Sequence, residues 1–281
     1  MLADELAEAR MEELTMVAHF MHYVCRTIRM RFPMEVGEVT ASTGHFARPA
    51  FHVTHAVNGW VRDVREHDVI WLVSQLKTPW GSLPPGIDAR IEVASIEHGC
   101  AGTRFTAGPR SAWIPMRDAT ELLGTARGVL KSGGSARLWT NPERHIGQYL
   151  QGMRALEDGA LVDAWFQMAR EAKMEFVSYR QLDGTRDAFH YVAKRVCLGK
   201  TVFWDRWGLP RGIAERREAS PRAQLDPYLT SAMDRAATVW GIASPRYGEP
   251  GSYSAYEQQY AGVRLVLVQC PVAVHACTQK A

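Results

Sequence analysis

The chain has 281 residues, of which 46% are hydrophobic, 22% charged and 10% aromatic, and its formal net charge is +3. That balance excludes a disordered tail, a collagen-like rod and a coiled-coil fibre, and the length suffices for one large core or two modest ones. No run approaches the roughly 20 apolar residues that span a bilayer, and the acidic start lacks the basic flank of a signal peptide, so the sequence reads as cytoplasmic with no membrane partner.

Taken in chain order, residues 1–32 read as one long N-terminal helix. Leu14, Val17, Met21, Val24 and Ile28 recur at alternating spacings of three and four, which draws one apolar stripe, and Pro33 ends the run. The stripe over 1–31 is the candidate contact with other protein subunits. From about residue 50 the periodicity changes. Phe51, Val53, His55 and Val57 alternate up to Asn58-Gly59, which predicts a tight hairpin returning through Trp60 and Val61. Strands follow at 69–76 and 87–96.

Helices are predicted over 118–131, from the cap at Asn141 onward, and over 161–173. Further strands read at 175–181, 189–196 and 201–204, then a helix at 226–240, a long loop at 244–262 and a last strand at 263–269. This mixed order means an α+β fold: a long N-terminal helix, then antiparallel or mixed sheet elements with interspersed helices. The body spans 33–281, with a division near 116–140.

No catalytic motif is complete, no cofactor motif is present, and the sequence weighs against an enzyme. Gly199-Lys200-Thr201 ends like a phosphate-binding loop, but Lys194 stands where that loop needs its first glycine. Five scattered cysteines imply a reducing compartment. His98 and Cys100, with His275 and Cys277, form two His-x-Cys pairs that would make a zinc site only if they met in space. No metal site is therefore assigned.

Residues 186–222 carry the charge. Nine basic residues against four acidic ones give this stretch a net +5 while the whole chain carries +3. Phe189, Tyr191, Phe203, Trp204 and Trp207 are interleaved with them. Rings that stack bases beside cations that hold phosphates describe a groove for single-stranded nucleic acid. The candidate nucleic-acid-binding residues are Arg186, Lys194, Arg195, Lys200, Trp204, Arg206, Trp207, Arg211, Arg216 and Arg217.

Tyr191-Val-Ala-Lys194, followed by Phe203-Trp204-Asp205-Arg206-Trp207-Gly208, resembles the tyrosine-and-lysine motif with which rolling-circle replication initiators cut a DNA strand. That family also binds its catalytic metal through two histidines one residue apart, and no His-x-His occurs in this chain. The resemblance thus implies binding of DNA and not nicking. The expectation is a non-catalytic nucleic-acid-binding subunit of a larger ribonucleoprotein or DNA-processing assembly. The alternative is a structural subunit of a viral particle or similar assembly.

Overall fold

The computed structural model describes residues 17–24, 26–27, 51–55, 59–100, 102–142, 144–150, 152–205 and 222–269. The first part holds β1 (His19–Tyr23), β2 (Arg26–Thr27), β3 (Phe51–Thr54), the short α1 (Gly59–Asp63), β4 (Val69–Ser74), β5 (Leu76–Thr78), β6 (Gly81–Ser82) and the long β7 (Gly86–Gly99). It continues with β8 (Gly102–Ala107), β9 (Ala112–Trp113), α2 (Thr120–Thr125), β10 (Arg127–Val129), β11 (Ser135–Arg137) and β12 (Arg154–Ala155). The second part holds α3 (Gly159–Glu171), β13 (Met174–Tyr179), α4 (Thr185–Cys197), β14 (Thr201–Trp204), α5 (Arg222–Arg235), β15 (Ala236–Ile242), α6 (Tyr253–Ala261) and β16 (Leu265–Val268).

The first sheet runs β12-β1-β4-β7-β8-β3, with β9 also on β7. It is mixed: β1 lies parallel to β4, and the other pairings are antiparallel. Strand β4 is buried throughout because both its faces are covered. Ile70 and Leu72 enter one core, while Val69, Trp71 and Val73 enter another, as the two-residue period of a strand requires. Helix α3 closes the second of these cores with Val162, Phe166 and Ala169, and Phe166 lies 5.3 Å from the Trp71 ring. Each such side chain contributes about 1.5–3 kcal/mol through burial.

The second sheet is parallel throughout, in the order β14-β13-β15-β16. Every residue of β13 and β14 is buried, the mark of parallel strands covered on both faces. Helix α4 covers one face, where Ala188, Val192 and Val196 meet Val177, Val202 and Trp204. The other face carries Phe176, Phe203 and Val239 against Leu229, Ala232 and Met233 of α5. The two sheets join where Met116 exchanges backbone hydrogen bonds of 3.0 and 2.8 Å with Val202, and Arg117 donates to the Thr201 hydroxyl at 3.0 Å.

The fold is therefore mixed α/β, and the α+β expectation is corrected on several elements. The long N-terminal helix is not formed over its described part. Residues 19–23 are a central strand in which Phe20 and Met21, adjacent in sequence, enter opposite cores, which a single helical stripe cannot do. Residues 1–16 and 28–50 lie outside the described residues. The Asn58-Gly59 hairpin is also absent: Gly59–Asp63 is helical, Val61 and Val64 are buried three apart, and β3 pairs with β8.

The helix expected over 118–131 stops at Thr125. The chain then forms the β10–β11 hairpin, turning at Gly133 and Gly134, where positive φ favours glycine. After Asn141 only a single 3-10 turn forms, at Ile146–Gln148. The strand expected at 189–196 belongs to α4, whose buried Ala188, Val192 and Val196 are four apart. Helix α5 ends at Arg235 where a helix to residue 240 was expected, and the 244–262 loop contains α6. The strands expected at 69–76, 87–96, 175–181, 201–204 and 263–269 and the helix at 161–173 do form, within a few residues.

Candidate functional site

The second sheet dictates where its polar groups gather. Strand β13 is followed by α4 and then β14 on one side, whereas β15 joins on the other, so the strand order reverses between β13 and β15. At such a reversal the loops leaving the carboxyl ends diverge to opposite faces and open a crevice, the usual ligand site of open α/β sheets. Ser178, Tyr179 and Arg180 stand at that end of β13, Asp205 follows β14, and the loop after β15 carries Ser244, Arg246, Tyr247 and Glu249.

Ser178 is fully buried, and its hydroxyl donates to Glu257 Oε2 of α6 at 2.6 Å. The same oxygen lies 2.9 Å from the Tyr247 hydroxyl. Burial pushes the Tyr247 phenol up to about 12, so at neutral pH it keeps its proton. Because Ser178 has one proton and gives it to Glu257, Tyr247 must donate to Ser178. The chain of donors thus ends on the Glu257 carboxylate, itself 7% exposed. Gly241 makes room for it: a Cβ there would lie 2.6 Å from the Tyr247 hydroxyl.

Two further carboxylates tie the strand ends together. Asp205 accepts from the Tyr179 hydroxyl and from Gln181 Nε2, each at 2.6 Å, which joins the end of β14 to the end of β13. Asp183 accepts from Ser244 Oγ at 2.8 Å and from the Arg246 backbone at 3.0 Å, which joins the loops after β13 and β15. In the same loops, Arg180 reaches Glu249 at 3.0 Å and Arg246 reaches it at 2.6 Å. Arg180 Nε is buried and has no hydrogen-bond partner among the described residues.

The residues singled out in the sequence lie elsewhere. Trp204 is wholly enclosed in the core between α4 and the second sheet, so its ring has no face to offer a base, and its indole nitrogen is buried without a partner among the described residues. Phe189, Tyr191 and Phe203 are buried as well. Tyr191, the tyrosine of the replication-initiator resemblance, packs 5.6 Å from the Trp240 ring. Arg195 is committed inward: it makes a bidentate pair with Glu175 and lies 5.2 Å from the centre of the Trp240 ring. Arg186, Lys194 and Lys200 are exposed on and just after α4. Arg206, Trp207, Arg211, Arg216 and Arg217 lie outside the described residues.

Among the described residues no group of three or more metal-ligating side chains occurs. His98 bonds Thr103 at 3.1 Å, Cys100 is exposed, and His275 and Cys277 lie outside the described residues. No helix of the described residues is long and apolar enough to cross a membrane.

Sequence reasoning missed Ser178, Arg180, Tyr247, Glu249 and Glu257. A usable signal was present: three short, mostly apolar stretches at 174–177, 202–204 and 236–242 are followed within two residues by Ser178, Asp205 and Ser244, as buried parallel strands are where they emerge at one edge. Comparisons with protein families, curated proteins and solved structures gave no match for the chain.

Proposed function

We propose that the second sheet binds a small ligand of the nucleotide class in the crevice at the carboxyl ends of β13 and β15, with Glu257 as the group that acts on it. The observation that carries this reading is the buried Ser178–Tyr247–Glu257 network, which sits where the strand order reverses. A carboxylate so placed accepts hydrogen bonds from ribose hydroxyls or takes a proton from a reacting group. Ser178 and Tyr247 fix the orientation of that carboxylate, which is the preorganisation that acid–base chemistry requires.

The test is incubation with a panel of nucleoside triphosphates and dinucleotides, followed by chromatography of the products. Turnover of one compound that Glu257→Gln abolishes while the fold persists supports the reading. Turnover that survives this substitution, or no binding of any panel member, overturns it.

The nucleic-acid reading rests on charge alone, in particular on the exposed Arg186, Lys194 and Lys200. It calls for phosphate contacts without ring stacking by the described aromatics, and hence for binding that falls steeply with salt and ignores base identity.

A further inference from the structure

We infer that Arg180 and Arg246 form the anion subsite of this crevice and that Glu249 occupies it in the ligand-free protein. The inference rests on the nucleotide reading and names the part of the ligand that the mouth would hold, a phosphate or diphosphate group. Two guanidinium groups from different segments, one at the end of β13 and one in the loop after β15, converge on a single carboxylate. Glu249 Oε1 takes Arg246 at 2.6 Å and Oε2 takes Arg180 at 3.0 Å, so each oxygen of one anion holds one arginine. A phosphate offers the same arrangement with one more oxygen and more charge.

Three observations separate this arrangement from an ordinary surface ion pair. Arg180 Nε is buried and unpartnered among the described residues, so the guanidinium has a donor that Glu249 leaves unused. The tyrosine that donates to Ser178 lies on the same loop as Arg246 and Glu249, which puts the anion contacts beside the Glu257 network. Glu249 is itself placed to move. It lies between Gly248 and Gly251, both in the left-handed region with φ of 76° and 79°. Its side chain is also 36% exposed.

Anion binding then consists of an exchange in which Glu249 swings to solvent and the phosphate oxygens take both arginines. In the same exchange, the unused Arg180 donor gains an acceptor. Glu249 sets selectivity because a ligand too weakly charged to displace it leaves both arginines occupied.

The experiment is calorimetric titration with inorganic pyrophosphate, ADP and a single-stranded oligonucleotide, on the full chain and on Glu249→Gln, Arg180→Lys, Arg180→Ala and Glu257→Gln variants. Pyrophosphate and ADP should bind, and Glu249→Gln should tighten both by roughly tenfold because the competing anion is gone. Arg180→Lys, which keeps the charge and loses the fork, should weaken both, and Arg180→Ala should weaken them further. Thermal melting of each variant separates lost binding from lost fold.

Pyrophosphate binding that Glu249→Gln weakens or leaves unchanged overturns the subsite. ADP binding that neither Arg180 variant affects overturns the subsite and leaves the nucleotide reading standing. Pyrophosphate binding sensitive to Arg180, with ADP no tighter and Glu257→Gln without effect on any nucleotide, keeps the subsite and overturns the nucleotide reading. Oligonucleotide binding sensitive to Arg180 without ADP binding overturns the commitment to a small ligand. No binding of any probe overturns both.

Discussion

The two sheets bury polar groups in different ways. In the mixed sheet they are spread along the strands and paired across them. His22 meets His52 at 2.8 Å between β1 and β3, Ser74 donates to Asp88 at 2.7 Å between β4 and β7, and Glu92 takes Arg110 beside β7. In the parallel sheet, buried polar groups stand at the strand ends: Glu175 and Thr201 at the starts of β13 and β14, and Ser178, Tyr179, Asp205 and Glu257 around the carboxyl ends. Antiparallel neighbours allow polar pairs anywhere along a ladder. Parallel strands, roofed by helices on both faces, leave polar groups little room except where the chain emerges.

The largest expected effect lies in the parallel sheet's interior. Trp204→Ala removes a wholly buried ring and should cost about 3–5 kcal/mol of stability in a urea titration, whereas a ring on a binding surface would cost little. The next effect belongs to the mixed sheet. Burial holds His22 down to about 4, and His52, buried and facing His22, is also held well below its ordinary value.

The unfolded chain, with histidines near 6.5, therefore takes up protons first as pH falls. The stability these histidines supply should be complete above pH 6.5 and fall as pH drops below it, with His22 alone contributing a loss of about 3 kcal/mol between pH 6.5 and about 4 and His52 adding in the same direction. Unfolding curves at several pH values check this, and His22→Asn should flatten the dependence.

A smaller effect sharpens the account of Arg195. Glu175→Ala strands a guanidinium that is 20% exposed and should cost about 2 kcal/mol, which a binding arginine free of structural duty would not show. The smallest effect concerns the exposed cations. Replacing Arg186, Lys194 and Lys200 together by alanine should change stability by less than about 0.5 kcal/mol per site, measured in the same titration.

Much of the strand placement was legible because short apolar runs leave little choice: Val69–Ser74 and Thr201–Trp204 are of this kind. Helix α4 was not, because Phe189, Tyr191, Val192 and Val196 are strand-favouring residues. Only packing against Val177 and Val202 decides that they face inward from a helix. Losing α4 as a crossover hid the βαβ unit, and with it the parallel sheet. The site was illegible for a related reason. Ser178 and Glu257 are 79 residues apart, and no local spacing joins them. The +5 segment drew attention through charge, yet its described rings, Phe189, Tyr191, Phe203 and Trp204, are buried in the core around the parallel sheet.

The most direct test of the central claim, that the ligand site is the carboxyl edge of the parallel sheet, is to titrate ADP into isotopically labelled protein and follow the backbone amide resonances. The largest shifts should fall at Ser178, Arg180, Tyr247 and Glu257. Shifts confined to Arg186, Lys194 and Lys200 on and beside α4 would contradict it.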